Sequence, residues 1–236
     1  MFGPDGEGVL ALWNGVDPLR QEEYELWHTR EHVPERLSVP GMLWARRYVR
    51  SDGALPHFLT IYAMRDTGVL RSPDYVKLLD EPTPWSRSMR PSFRGFMRLC
   101  CRRGWSMGGG IGGCLGALML PAGPLLQSDT LHDMLAGLLA GPCLVTAHLL
   151  IHDESVPDVP FKIGGEAPDA VRGGVILLES HDDALLAAVA PELGEGLAAL
   201  GVGEAAAGFT RYRLAYALDR DRRDGVVAIV GPTLLP

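Results

Sequence analysis

The residues best suited to chemistry lie in one short segment, WHTREHVPERL at 27–37. On a helix, His28, Glu31, His32 and Glu35 stand at i, i+3, i+4 and i+7, so all four can share one face. A carboxylate beside an imidazole fixes its tautomer and raises its basicity, which is what a general base for proton abstraction requires. The segment predicts a catalytic His32 assisted by Glu31, with His28 contacting the substrate.

The same spacing has two other interpretations. The order H-x-x-E-H inverts the H-E-x-x-H helix of zinc proteases and would need a further, distant carboxylate to hold a metal ion. Alternatively, His28 and Glu31 form a solvated pair on the helix surface, and His32 is a hydrogen-bonded residue at the edge of the core. We expect no metal and no other cofactor.

These side chains need a scaffold, and the hydrophobic pattern predicts a β-α-β-β-α-β order in the first half of the chain. Its strands are expected at 8–14, 42–50, 58–63 and 93–101, with helices at 18–37 and around 75–79. The second half repeats this order, although its identity with the first half is low. Its strands are expected at 113–119, 143–153, 174–182 and 209–217, with a helix near 130–139.

We therefore predict an α+β fold made of tandem ferredoxin-like β-α-β-β-α-β repeats packing as an α+β barrel. The first repeat spans 1–104, and the second, degenerate repeat spans 105–236 with an insertion near 154–171. Each sheet would carry its helices on one face, and the two bare faces would pack together and enclose a space. A small molecule would bind in that space or in the cleft beside each first helix.

Further candidates lie on the predicted strands. Aligning Leu144 with Leu43 places His148 at the strand position of Arg47. Arg47 could hold a carboxylate or enolate oxygen as part of the catalytic set, and pairing with an acid such as Glu35 is the structural alternative. Aromatic side chains could line a substrate pocket with His148, although aromatic residues in strands commonly pack in the core. These aromatic candidates are Trp13, Trp44, Tyr48 and Trp85.

Composition excludes several classes of partner. The formal net charge is −7, without the basic stripe that neutralises phosphates, so no nucleic acid is expected. The uncharged stretch 105–127 is interrupted by glycines and prolines, which indicates a linker entering a buried strand and not a membrane span. The four cysteines lack CxxC spacing, which favours reduced thiols and a cytoplasmic location.

The segment from Trp27 to Tyr48 also resembles a known family. Its strings EHVP (31–34), VPG (39–41) and ARRY (45–48) are similar to the first helix and second strand of EthD-like proteins of the dimeric α+β barrel superfamily. The resemblance implies a ferredoxin-like barrel related to cofactor-free monooxygenases, polyketide cyclases, lactone isomerases and heme enzymes. Many of these act on hydrophobic, often aromatic, small molecules. The second half lacks the Glu-His pair, so if one site exists it belongs to the first half, and whether the second repeat has its own site is left open.

Three functions follow from these observations. The first is an enzyme that uses the His/Glu pair for acid-base chemistry on an aromatic or polyketide-like substrate, as a cyclase, dehydratase, isomerase or cofactor-free oxygenase. The second is a non-catalytic ligand-binding or accessory protein with the same hydrophobic cavity. The third is a heme-binding protein with His28, His32 or His148 as the axial ligand. Association into a homodimer is left open.

Overall fold

The computed structural model describes residues 6–156 and 173–225. The predicted insertion near 154–171 therefore falls almost entirely outside the described residues. Eight strands are described: β1 (Gly8–Val16), β2 (Met42–Arg50), β3 (Phe58–Met64), β4 (Phe93–Gly108), β5 (Cys114–Leu120), β6 (Thr146–His152), β7 (Gly174–Ser180) and β8 (Thr210–Asp219). The α-helices are α1 (Gln21–Trp27), α2 (Val33–Ser38), α3 (Pro73–Asp80), α4 (Pro84–Met89), α5 (Asp129–Ala140) and α6 (Asp183–Ala199).

The strands form one closed antiparallel barrel in the order β1-β3-β2-β8-β5-β7-β6-β4. Read from β4, the first half has the order β4-β1-β3-β2, and the second half has the corresponding order β8-β5-β7-β6. The two four-stranded sheets join along β2–β8 and β4–β6. The predicted fold, two ferredoxin-like units closing as an α+β barrel, is confirmed.

One seam of the barrel lies where the sequence predicted a linker. Residues Trp105–Gly108 continue β4 and pair with Thr146–Leu149 of β6. The linker prediction was wrong for these residues because their partner strand lies in the other repeat and leaves no trace in the local sequence. The division at residue 104 stays a proposal, and β4 runs across it.

Closure gives each strand one face toward the barrel interior and one face toward the outside, where helices cover β3 and β7 but leave part of β4 and β8 exposed. Along β1, Val9, Ala11 and Trp13 pack in the barrel interior, whereas Leu10 and Leu12 face the helices outside. β3 and β7 are buried along their whole length, because the barrel covers one face and the helices cover the other. Adjacent residues on one strand therefore lie in different compartments.

This alternation corrects the predicted relation between Arg47 and His148. Arg46 pairs with Ile61, and His148 pairs with Leu177, and both aliphatic residues lie in the interior. His148 therefore occupies the position of Arg46, and Arg47 points outward to the helices. The sequence alignment was one residue out of register, and such a slip moves a side chain to the opposite face of a sheet.

We expect Gly108→Ala to weaken the β4–β6 seam. Gly108 has φ +95°, and a Cβ there would clash with the Val145 carbonyl oxygen. Urea unfolding should show a loss of about 2 kcal/mol, from backbone strain and displacement of the neighbouring strand. Gly109→Ala is the control, because a Cβ there meets nothing within 4 Å. Equal stability of the two variants would contradict this account of the seam.

Candidate active site

The predicted first helix contains an irregular turn at its centre. α1, a π-helical segment (His28–His32) and α2 follow one another without a break. In the π-helical segment the Val33 N–H donates to the carbonyl of His28, five residues earlier. Pro34 has no N–H for the carbonyl of Thr29, and Tyr216 Oη of β8 donates to that carbonyl instead, at 3.3 Å. π-Helical turns inside α-helices are frequent at functional sites.

A cavity of about 80 Å³ lies between this helix, α3, α4 and the outer face of the first sheet. His28 and His32 both line it, so the helix brings the two predicted imidazoles to one wall. Aromatic side chains form much of the remaining lining: Tyr24, Trp27, Tyr75, Phe93 and Phe96. An apolar wall with a few polar groups is the usual composition of a small-molecule site.

His28 is buried against β3. Its Nε2 lies 3.3 Å from Thr60 Oγ1, and its Nδ1 is buried with no hydrogen-bond partner among the described residues. Burial, together with the nearby charge of Arg47, holds the pKa of His28 well below its ordinary value. His28 is therefore neutral at pH 7.

His32 stacks on Trp27, with ring centroids 4.4 Å apart, and lies 5.5 Å from the His28 ring. Its Nδ1 is buried and has no hydrogen-bond partner within the described part of the chain. Burial, then the charge of Arg36 and the proximity of His28 and Arg90, hold the pKa of His32 well below its ordinary value. A neutral imidazole can accept a proton, so both histidines are in the form that a general base requires.

Glu31 does not hydrogen-bond to His32. One of its carboxylate oxygens, Oε1, accepts from Thr83 Oγ1 at 2.5 Å, Ser86 Oγ at 3.1 Å and Trp27 Nε1 at 3.2 Å. Thr83 and Ser86 belong to the start of α4, so Glu31 links α4 to the π-helical segment. Glu31 also fixes the indole on which His32 stacks, and in this way it positions the imidazole indirectly.

Three arginines line the same cavity and were not among the predicted site residues. Arg36 comes from α2, Arg90 follows α4, and Arg98 comes from β4. No aspartate or glutamate among the described residues lines the cavity, but Glu35 Oε2 lies 3.6 Å from Arg36 Nη1, so at least one of these guanidinium charges is paired. Arg36, four residues after His32, could have been found from the helical spacing. Arg90 and Arg98 are brought there by the fold and have no sequence signal.

Arg47 and Trp85 lie near this region, but neither residue lines the cavity. Arg47 Nη2 is 3.8 Å from Glu25 Oε2, and its guanidinium lies 5.6 Å from the centre of the Phe58 ring. It borders a shallow groove on the other side of α1. Trp85 belongs to α4 and donates from Nε1 to Glu23 Oε1 at 3.0 Å.

The other predicted substrate contacts lie inside the barrel. Trp13 lines a larger cavity of about 750 Å³ at one end of it. Trp44 lies under the Arg46 guanidinium, 4.2 Å from the ring centre, and Tyr48 is buried nearby. His148 is buried beside Glu179, with 3.8 Å between Nε2 and Oε1. The fold therefore does not assemble the predicted aromatic residues into one pocket with His32.

Comparison with solved structures places this geometry among known folds. An anthrone oxidase-like protein matches with 13% sequence identity, a TM-score of 0.63, and coverage of 94% of this chain and 96% of that chain. A candidate monooxygenase from Fusobacterium nucleatum matches with 8% identity, a TM-score of 0.54 and coverage of 91% and 97%. The likeness shows an α+β barrel fold, and in this protein both halves of the barrel come from one chain.

A heme-binding protein from Thermus thermophilus shares the fold, with 11% identity, a TM-score of 0.50 and coverage of 93% and 94%. No family model matches the chain, and no curated protein matches it in sequence. At these identities the structural likeness establishes the fold alone. Within the residues the structure describes, no helix is long and apolar enough to cross a membrane.

The cavities do not suit a heme that takes one of the candidate histidines as its axial ligand. His28 and His32 line a space of about 80 Å³, far below the roughly 300–1,000 Å³ of pockets that bury drug-sized ligands. The cavity of about 750 Å³ has room, but no described histidine lines it. His148 is enclosed in the interior beside Glu179 and Ser106. Axial ligands and space are therefore found in different places. The described residues also gather no group of three His, Cys, Asp or Glu side chains that could hold a metal ion.

The lowered histidine pKa values predict how stability depends on pH. An unfolded histidine titrates near pH 6.5, so below that pH the unfolded chain binds protons at positions 28 and 32 that the folded chain does not. Stability should therefore fall as the pH drops below about 6.5. Each histidine contributes up to about 1.4 kcal/mol per pH unit.

Urea unfolding between pH 7 and pH 5 measures this slope. His32→Gln should reduce it, because glutamine binds no proton in either state. His57→Gln makes the same exchange outside the cavity and is the comparison for the loss of a histidine. An unchanged slope in His32→Gln would show that the ring at position 32 titrates normally in the folded protein.

Proposed function

We propose that this protein is an enzyme that abstracts a proton from a planar, hydrophobic small molecule bound in the helix–sheet cavity. The proposal depends on one observation: two neutral imidazoles and three arginines line a cavity that no described carboxylate lines. Such a wall removes a proton and then stabilises the anion that remains. Its aromatic side chains favour an aromatic or polyketide-like substrate.

His32 is the proposed base. His28 Nε2 is close enough to Thr60 Oγ1 to share a hydrogen bond, whereas no hydrogen bond is found for the His32 ring among the described residues. The base takes a proton from a carbon that lies next to a carbonyl group or is conjugated with it through an aromatic ring, and the electron pair of the C–H bond is delocalised to the carbonyl oxygen as an enolate. Guanidinium groups placed beside such an oxygen stabilise its charge.

The other residues have supporting roles in the proposal. Glu31 is a positioning residue, because it holds the Trp27 indole on which His32 stacks. His28, 5.5 Å from His32, contacts the substrate. Arg36 and Arg90, whose charges act on His32, take the role of anion stabiliser that the sequence suggested for Arg47. Arg47 lines the groove on the other side of α1 and acts on His28 only through its charge.

The cavity volume limits how the substrate binds. About 80 Å³ accommodates a small part of a polycyclic molecule, so the reacting ring enters and the remainder displaces side chains or extends toward solvent. Enolate formation is the shared first step of cyclisation, dehydration, isomerisation and cofactor-free oxygenation. The proposal therefore specifies proton abstraction as the first step, and the substrate decides which product follows.

Anthrone is a suitable first substrate. Its methylene group is conjugated with a carbonyl group through two aromatic rings, so deprotonation gives a delocalised enolate, and one similar fold belongs to an anthrone oxidase-like protein. With O₂ as the oxidant, the methylene becomes a carbonyl: anthrone and O₂ give anthraquinone and water. Oxygen uptake and anthraquinone absorbance follow the reaction.

We expect His32→Ala to lower kcat for anthrone oxidation by about 10²–10⁴, the usual contribution of a positioned general base. His57→Ala should retain the wild-type rate, because His57 does not line the cavity. A wild-type protein no faster than buffer, or a His32→Ala variant as fast as the wild type, would contradict the proposed chemistry on this substrate.

The pH profile gives a second test of the base. Because the pKa of His32 is held well below its ordinary value, the acidic limb of kcat/KM should lie below pH 6.5. Activity should be constant from about pH 6.5 to pH 8 and fall only in more acidic buffer. Initial rates across this range measure it. A limb centred at or above about pH 6.5 would exclude a buried, neutral His32 as the base.

A non-catalytic ligand-binding protein is the second candidate, and the large cavity, which no described histidine lines, favours it. The two functions separate with one variant. In a binding protein His32→Ala keeps its affinity for anthraquinone nearly intact and the wild type shows no turnover, whereas an enzyme shows turnover that this variant loses.

A further inference from the structure

The geometry points to a second small-molecule site at the open end of the barrel, separate from the histidine cavity, for an uncharged and largely apolar ligand. This site goes beyond the proposed enzymatic function and does not depend on it. The cavity there measures about 750 Å³, within the roughly 300–1,000 Å³ of pockets that bury a drug-sized molecule.

The cavity is formed by strand ends. Trp13, Met97, Ala117, Met119 and Tyr212 contribute interior-facing side chains from β1, β4, β5 and β8. The apolar surfaces of these side chains border the cavity. Concave apolar surface of this extent marks a binding site more often than an unused space.

A short segment between α6 and β8 covers one side of the opening. Val202 and Ala205 lie against the cavity from this connection, and Pro56 and Pro121 border it at the ends of neighbouring strands. These side chains are small or apolar and carry no charge. The border therefore extends the apolar surface of the barrel wall.

The charges at this end are compensated or solvent-exposed. Arg50 Nε lies 2.8 Å from Asp52 Oδ1, and its Nη1 donates to the Leu55 carbonyl. Glu204 lines the cavity but is exposed to water. Thr210 Oγ1 lies within hydrogen-bond distance of Tyr212 Oη and of the Ala117 carbonyl, both at 3.3 Å. Among the described lining residues, no uncompensated buried charge faces the cavity, which favours a neutral ligand.

The two cavities lie back to back across the first sheet. Leu12 and Phe96 line the histidine cavity, whereas their neighbours Trp13 and Met97 line the barrel-end cavity. Adjacent residues of a strand point to opposite faces, so each residue lines only one of the two cavities. A substitution can therefore alter one cavity and leave the lining of the other unchanged. The two sites can therefore be tested independently.

The test is a titration of the full chain with Nile red, an uncharged dye that fluoresces in apolar surroundings. We expect saturable binding of one dye per chain. Ala205→Trp should weaken binding about tenfold or more, because the indole occupies the cavity. Ala207→Trp adds the same side chain two residues away on an exposed position that does not line the cavity, and it should bind the dye like the wild type.

Two further variants make the result decisive. Met119→Trp fills the cavity from β5 and should reproduce the loss if Ala205→Trp does not fold, as judged by circular dichroism. His32→Ala, which changes only the other cavity, should bind the dye within about twofold of the wild type. Absence of saturable binding to the wild type, retention of binding in folded filled variants, or its loss in His32→Ala would overturn the second site. None of these outcomes bears on anthrone turnover.

Discussion

Closure of the eight-stranded sheet is the constraint on which the remaining structure depends. In a closed barrel, alternate residues of each strand point to the interior and to the outside, so position along a strand decides the compartment of each side chain. Arg46 lies in the interior, and Arg47, the next residue, lies under the helices. Leu12 and Trp13 divide in the same way between two cavities. The alternation of side chains along a strand therefore decides which cavity or layer each residue reaches.

The helix over the first sheet separates its acids from its imidazoles. Its acidic side chains bind neighbouring elements: Glu23 accepts from Trp85, Glu31 accepts from Thr83, and Glu25 pairs with Arg47. The histidines face the cavity, where burial and arginine charge keep them neutral. A carboxylate bonded to His32 would favour its protonated form, so turning the acids away from it preserves a free base.

Much of the fold could be predicted from the sequence, because strands and helices leave local patterns. The predicted strand 42–50 coincides with β2, and the helical spacing placed His28 and His32 on one wall. The predicted Glu31–His32 pair was not found, because spacing on one helix shows which residues could meet and not what neighbouring helices offer them. Arg90 and Arg98 reach the cavity only through tertiary packing, which no local pattern encodes.

The wrong placement of His148 relative to Arg47 has the same origin. Placing His148 with Arg47 required a strand register between two dissimilar repeats, and one residue of slip exchanged the barrel interior for the helix layer. In the structure His148 belongs with Arg46 and Glu179. These three side chains come from β6, β2 and β7, so they depend on the closed barrel that joins the two repeats.

This interior cluster contrasts with the largely apolar lining of the cavity of about 750 Å³. Glu179 lies 3.6 Å from Arg46 and accepts from the Gly112 N–H at 2.7 Å, and His148 Nδ1 is 3.0 Å from Ser106 Oγ. Burial raises the pKa of Glu179, but His148, Gly112 and Arg46 outweigh burial and leave the pKa lowered. A carboxylate with this many partners is a poor base. It has a structural role instead, because removing any partner would leave a buried charge. These three side chains, Arg46, His148 and Glu179, therefore compensate one another inside the barrel and link β2, β6 and β7.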